Sequence, residues 1–295
     1  MIRPKLIYDN YASVKGRGMS KALERMKCHL QRYYRRNGRN NKGYILLCDL
    51  HSYFASIDHD VVYQQLGTLL NNDPRTLYLA MDFIDAFGRR SLGLGSQVSQ
   101  TTAIFYPNKI DHYIKEQLKI KGYGRYMDDF FLIHEDKEYL KYCLEEIKKR
   151  YAALGIELNE RKTQIRRIDK EFKFLKIKIK LTETGKVVMR PDSYAVVRER
   201  KKLKRFQEKL EAGQMSFDDV LQQYKSWKGS FKYFDTYKSL RNLDKLFDKL
   251  FIQEWRYQEN AGNRKHIDEY KEPEFRKRQN PACRRHGIEL CSEWN

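Results

Sequence analysis

The sequence predicts an α+β protein in which a mixed-sheet unit is followed by a basic helical one. Three observations lead there. Short apolar runs suited to strands alternate with segments of helical spacing through the middle of the chain. Isolated aspartates stand where two of those strands end or turn. Beyond about residue 187 the pattern becomes helical and dense in Lys and Arg.

The elements follow in order. Residues 1 to 43 are basic and glycine-dotted, and Tyr11 to Gly18 reads as a turn before a helix from Ser20 to Tyr34. Tyr44-Ile-Leu-Leu-Cys-Asp-Leu50 is a short apolar run that suits a buried strand. Helical patterns cover 59–70 and 75–87. Gly93-Leu-Gly95-Ser interrupts them, and helical spacing resumes from Ser99 to Lys119, broken at Pro107. Arg125 to His134 reads as two short strands joined by a tight turn at Met127-Asp128-Asp129. A helix over 137–154 is expected to end in a left-handed cap at Gly155. Phe172 to Leu181 alternates polar and apolar, as one half-exposed strand should. A helix over Val196–Leu210 follows, then a helix start at Ser216 with Asp218 and Asp219 in its first turn. Helical patterns run to about Trp255, and the last forty residues are charged and lack periodicity.

Composition narrows the function. Lys and Arg number 59 against 39 Asp and Glu, a net charge of +20, which points to a polyanionic partner. The 21 Tyr and 15 Phe supply rings for the core and for stacking on bases. Five cysteines, odd in number and irregularly spaced, fit a reducing cytoplasm without a disulfide framework. Cys283, His286 and Cys291 supply three ligands where a structural zinc requires four. No run of about 20 apolar residues exists to span a membrane.

The chemistry rests on three acids. Asp49 lies near the end of the predicted buried strand, and Asp128 and Asp129 lie in the predicted bend. Leu46, Leu47 and Cys48 precede the first, and Phe130, Phe131 and Leu132 follow the others. Aspartate is unfavourable in strands and costly when buried alone. Clustered carboxylates repel unless cations neutralise them, and Mg²⁺ suits the task because it tolerates phosphates and waters in its remaining positions. Two such ions about 4 Å apart can activate an attacking hydroxyl and stabilise a leaving pyrophosphate. A surface turn accounts equally well for an Asp-Asp pair alone, so the surrounding residues decide.

Those residues carry a resemblance. Asp49-Leu-His-Ser-Tyr-Phe-Ala-Ser-Ile-Asp-His59 resembles the first catalytic motif of reverse transcriptases, and Tyr126-Met127-Asp128-Asp129 resembles their second. Their order, and the 79 residues between Asp49 and Asp128, are similar too, with further matches from about Ile7 to Phe251. The resemblance implies a right hand: fingers over 1–43 and 60–100, a palm over 44–59 and 101–187, a helical thumb over 188–256, and a charged tail over 257–295. It implies an RNA-directed DNA polymerase that takes an RNA template, a DNA or RNA primer and deoxynucleoside triphosphates. Asp49, Leu50, Asp128 and Asp129 would then hold two Mg²⁺ ions, with Mn²⁺ as an alternative.

Further roles come with the resemblance. Phe54 falls at the steric gate, where a ring would exclude a ribose 2′-hydroxyl, and Leu50 borders the same nucleotide. Lys15 and Arg17 match finger residues that grip the triphosphate, and Lys162 matches a lysine that protonates pyrophosphate. Tyr126 and Met127 face the nucleic acid. Phe174-Leu175-Lys176 resembles the primer-grip turn, with Lys176 replacing the usual glycine. Arg198, Arg200, Lys201 and Lys204 would track a template–primer duplex, held by backbone and shape.

Leu94-Gly-Ser-Gln-Val-Ser99-Gln100 departs from the common pattern, which has glutamine before the glycine and Ser-Pro at the end. Ser99 and Gln100 at this nucleotide-facing segment resemble the reverse transcriptases of diversity-generating retroelements, which copy with errors at adenines. Losing one polar check of about 1 kcal/mol relaxes discrimination several-fold. Group II intron-like and phage-defence enzymes share the chemistry. A right-hand protein that binds RNA without polymerising is the reading from another class, and loss of a catalytic aspartate would mark it. The chain begins almost at the first family motif, which implies a minimal enzyme or a missing N-terminal extension, and an accessory protein as a further partner.

Overall fold

The computed structural model describes residues 2–93, 95–231 and 234–254. Leu94, the tail over 257–295 and the Cys283, His286, Cys291 triplet lie outside them. The chain divides into two compact units between Val188 and Met189.

The first unit is organised by one strand. β1 (Tyr44–Asp49) is buried along almost its whole length because it is paired on both sides. β2 (Gly122–Tyr126) and β3 (Asp129–His134) form a hairpin, β4 spans Gln164–Arg167, and the sheet order is β2-β3-β1-β4. The expected mixed sheet is antiparallel in all its ladders. Its parallel element is a single bridge between Asn10 and Arg125. β4, with the sequence Gln-Ile-Arg-Arg, was not expected, because a polar edge strand shows no apolar alternation.

Helices cover this sheet where apolar spacing placed them. α1 (Met19–Arg36) buries Ala22, Leu23, Met26 and Leu30, the 3–4 spacing of one helical face. The short α2 (Tyr53–Ser56), α3 (His59–Leu69) and α4 (Pro74–Asp85) follow β1. Asp58 and Asp73 cap α3 and α4 through their carboxylates. The expected 99–119 helix is three pieces: α5 (Gln97–Phe105), α6 (Asn108–His112) and a π turn over Tyr113–Gln117. Pro107, which cannot donate to the preceding turn, makes the first break. α7 (Lys137–Ala152) ends as predicted at Gly155, whose φ is 72°.

The Phe172–Leu181 strand is two strands, not one. β5 (Phe172–Phe174) and β6 (Ile177–Leu181) pair across a two-residue turn at Leu175 and Lys176, and β7 (Val187–Pro191) completes a three-stranded sheet. The unit boundary falls inside β7. Helices follow β7: α8 (Ser193–Glu211), α9 (Phe217–Phe231) and α10 (Tyr237–Leu250), whose core includes Leu203, Phe206, Val220, Tyr224 and Phe247. Ser216 and Asp219 bond reciprocally at the start of α9, a capping box with Asp in the usual Glu position. Among the described residues no helix is long and apolar enough to cross a membrane.

Candidate active site

Strand register assembles the three acids. β1 ends at Asp49, β3 begins at Asp129, and the antiparallel ladder sets the two directly opposite each other. Tyr126 pairs with Asp129, so Met127 and Asp128 alone form the hairpin loop. Met127 takes φ 58°, a left-handed conformation that costs a residue with a β-carbon roughly 1–2 kcal/mol. Leu50 N donates to the Asp128 carbonyl at 3.2 Å, tying the end of β1 to that loop. On the other flank Asn159 N donates to the Asp49 carbonyl at 2.8 Å and His51 N to the Glu157 carbonyl at 2.8 Å. Leu50 also bridges Leu158 and is buried.

The acids are poorly solvated and crowd one another. Asp49 is buried, and Asp128 and Asp129 are half-buried. Burial, then the charges of Asp128 and Asp49, pushes the Asp129 carboxyl up to about 7. Burial, with a contribution from the Asp49 charge, raises Asp128 as well. Lys162 Nζ donates to Asp49 Oδ2 at 2.9 Å, and that hydrogen bond raises the ammonium's own pKa.

Among the described residues no three His, Cys, Asp or Glu side chains are drawn into a metal-binding group. The donor chemistry nevertheless fits a hard divalent cation. Three oxygen-donor acids converge, two of them raised by burial and mutual charge, and bound positive charge relieves that strain.

Comparison with known proteins gives the setting of this site. A family model described as reverse transcriptase (RNA-dependent DNA polymerase) matches residues 5–179. The chain belongs to the reverse transcriptase family. No curated protein matches the chain. Among solved structures, apo telomerase from Candida tropicalis is similar at 12% identity and a TM-score of 0.53, over 85% of this chain and 53% of that one. Telomerase from Candida albicans, in complex with a TWJ fragment of telomeric RNA, is similar at 14% identity and a TM-score of 0.52, over 83% and 50%. The reverse transcriptase chain thus spans about half the length of these relatives, and at such identities the likeness is one of fold. That fold is the right-hand polymerase fold.

The other expected site residues of this reverse transcriptase divide into two groups. Phe54 is half-buried on α2, its ring 5.8 Å edge-on from Tyr53, and its carbonyl accepts from Leu92 N at 2.9 Å. Tyr126 and Met127 are half-buried beside the acids, and Lys15 and Lys176 are exposed. Gln100 Oε1 accepts from Ser13 Oγ at 3.0 Å, which links α5 to the 13–17 loop. In the second unit, Arg198, Arg200, Lys201 and Lys204 are exposed on α8, opposite its buried Glu199, Leu203 and Phe206.

Two expectations meet a different local structure. Arg17 Nη1 donates to the carbonyls of Tyr8 at 2.8 Å and Asn10 at 2.7 Å, and its guanidinium lies 5.1 Å from the Tyr8 ring. That guanidinium holds the N-terminal loop together. Ser99 is 1% exposed, so its hydroxyl faces the core. The primer-grip turn exists with φ 46° at Leu175 and 64° at Lys176, although neither is glycine.

The sequence reading missed one constellation altogether. Arg125 and Asp111 are both fully buried and paired at 2.7 Å, directly behind the Met127-Asp128 loop. Charged residues read as surface unless paired, and their partners lie on different elements, so no local signal marks them.

Proposed function

We propose that this chain is the catalytic part of an RNA-directed DNA polymerase, extending a primer 3′ end with deoxynucleotides. The observation that carries the reading is the register that sets Asp49 opposite Asp129, with Asp128 in the adjoining loop. Asp49, Asp128 and Asp129, with the backbone of Leu50, would hold two Mg²⁺ ions. Bound there, the ions would supply Lewis-acid activation of the primer hydroxyl and charge stabilisation of the leaving pyrophosphate.

The chain's own groups do the rest. Phe54 is fixed by α2 and by the Leu92 bond, so a ring stands at the sugar position of an incoming nucleotide. Lys162 sits 2.9 Å from Asp49 as a protonated ammonium, within reach of a proton transfer to a leaving oxygen. The 58 to 64° left-handed residues Met127 and Lys176 shape the two turns that flank the nucleic acid. Exposed Arg198, Arg200, Lys201 and Lys204 give the second unit a phosphate-binding surface.

Within that activity we assign the chain to a bacterial or phage retroelement, with diversification by error-prone copying as its service. Ser99-Gln100 and Leu94 support this assignment. A buried Ser99 and a Gln100 tied to Ser13 leave fewer polar groups facing the nascent pair. The cation-rich composition supports RNA and DNA as partners, and three buried free cysteines among the described residues support a cytoplasmic setting.

Primer extension on an RNA template with Mg²⁺, comparing the wild type with Asp128→Ala and sequencing the product, tests the reading. Extension abolished in the variant supports the polymerase, and errors concentrated at template adenines support diversification. Tight, salt-sensitive RNA binding without extension by the wild type would replace it with a binding role.

A further inference from the structure

Arg125 is fully buried in β2, two residues before the loop that carries Asp128. Its guanidinium reaches three separate elements. Nε donates to Asp111 Oδ1 at 2.9 Å and Nη2 to Asp111 Oδ2 at 2.7 Å, a bidentate pair with a residue of α6. Nη2 also donates to the Ile104 carbonyl near the end of α5 at 2.7 Å. Nη1 donates to the Met127 carbonyl at 3.1 Å. Tyr123 Oη donates to Asp111 Oδ1 at 2.5 Å, which fixes the carboxylate from its other side.

A fully buried ion pair is weak evidence for stability, because desolvating both charges offsets their attraction and apolar replacements often fold as well. The pair therefore calls for another account. The Met127 carbonyl belongs to the peptide that joins Met127 to Asp128, and Met127 is held at φ 58°. A non-glycine residue persists in that conformation only where its surroundings over-determine it. Arg125 donates to this peptide from the inner side, and Leu50 N grips the next carbonyl, that of Asp128, at 3.2 Å.

We propose that Arg125, locked by Asp111, is a positioning residue that sets the Met127–Asp128 peptide and so the placement of the Asp128 carboxylate. The proposal rests on the polymerase reading for its effect on rate, though not for its effect on geometry. The locked guanidinium fixes the peptide plane, and the β2–β3 ladder fixes everything up to Tyr126 and from Asp129 onward. Without Arg125, the loop between those two rungs relaxes towards ordinary backbone angles and carries Asp128 with it.

The test uses a double variant, Asp111→Leu with Arg125→Met, which removes both buried charges together and leaves neither unpaired. Arg125→Lys is the companion, keeping the charge for Asp111 but losing the planar reach to Met127. Hydrogen exchange at the Leu50 amide reads Asp128 placement directly, and exchange at Leu46 in the same strand serves as the control. The expected result is Leu50 protection at least tenfold lower with Leu46 unchanged. In primer extension, kcat falls on the order of 100-fold with nucleotide KM within about threefold, as a displacement of about 1 Å produces. Arg125→Lys falls between the double variant and the wild type. A folded double variant with wild-type Leu50 protection and kcat overturns the proposal. Equal loss of protection at Leu50 and Leu46 also overturns it, by showing a general stability role. If the wild type itself fails to extend primers, the polymerase reading falls, and the Leu50 exchange still decides the positioning.

Discussion

Lys162 places its ammonium 2.9 Å from the Oδ2 of Asp49, bridging a loop residue to the last residue of the central strand. The contact neutralises one acid of a crowded three and keeps an acidic proton beside it. Lys162→Gln is expected to lower kcat roughly 100-fold, the scale of one general acid. Lys162→Arg separates the two roles, since a guanidinium keeps the ion pair but does not give up its proton. Single-nucleotide incorporation by rapid quench measures both. Full activity in the arginine variant would reduce the residue to charge compensation.

Asp129 is held at a cost. Its carboxyl is pushed up to about 7 by burial and by the charges of Asp128 and Asp49. Asp129→Asn removes that repulsion, so the metal-free protein is expected to gain about 1 kcal/mol while incorporation falls roughly 1000-fold. Thermal unfolding in chelator and an extension assay read the two effects. A destabilised asparagine variant would contradict the electrostatic account.

The turn at Leu175 and Lys176 predicts a separable pair of effects. Both residues sit at positive φ, where glycine is cheaper by about 1 kcal/mol. Lys176→Gly should stabilise the protein by about that amount. If the lysine also holds a primer phosphate, the salt dependence of primer binding should shallow by about one unit of log–log slope. Denaturant midpoints and binding titrations across salt test the two halves independently.

His29 is expected to make stability pH-dependent. It is buried on α1, with Nε2 3.2 Å from Asp9 Oδ1, and Arg25 and Lys115 pair with the same carboxylate. Burial pushes its imidazole down from the usual 6.5. The unfolded chain therefore binds a proton that the folded chain resists, and stability falls as pH drops below about 6.5. His29→Gln should flatten the decline in melting temperature between about pH 7 and 5.5. An unaltered slope would assign the decline to other groups.

Ser99 provides a simple check on packing. Its buried hydroxyl finds no hydrogen-bond partner. Ser99→Ala should leave stability unchanged or raise it by up to about 1 kcal/mol, read by chemical denaturation. A loss well beyond that would reveal a role for the hydroxyl in the folded core.

Much of this architecture is legible in the amino-acid order because burial leaves a periodic trace. The α1 helix, the apolar run of β1 and the hairpin around Asp128 all show it in the spacing of their apolar residues. Capping chemistry is equally plain at Ser216 and Gly155. The rest depends on contacts distant in sequence. β4 is polar and becomes a strand only because β1 offers it an unpaired edge. The turn at Leu175 defies its side chains, so one strand is expected where two exist. Arg17 looks like a phosphate ligand, whereas nearby carbonyls of its own loop occupy it. Asp111 and Arg125 carry no signal, since each alone reads as solvent-facing.

The ladder between β1 and β3 also says what kinds of change this centre can survive. Opposed rungs bring Asp49 and Asp129 together, so the intervening chain is free to lengthen or shorten without disturbing them. One residue gained or lost inside Tyr44–Asp49 is another matter, because it turns Asp49 to the far side of the sheet. Lineages descended from this fold should therefore vary widely in the connections and hardly at all in the length of six residues.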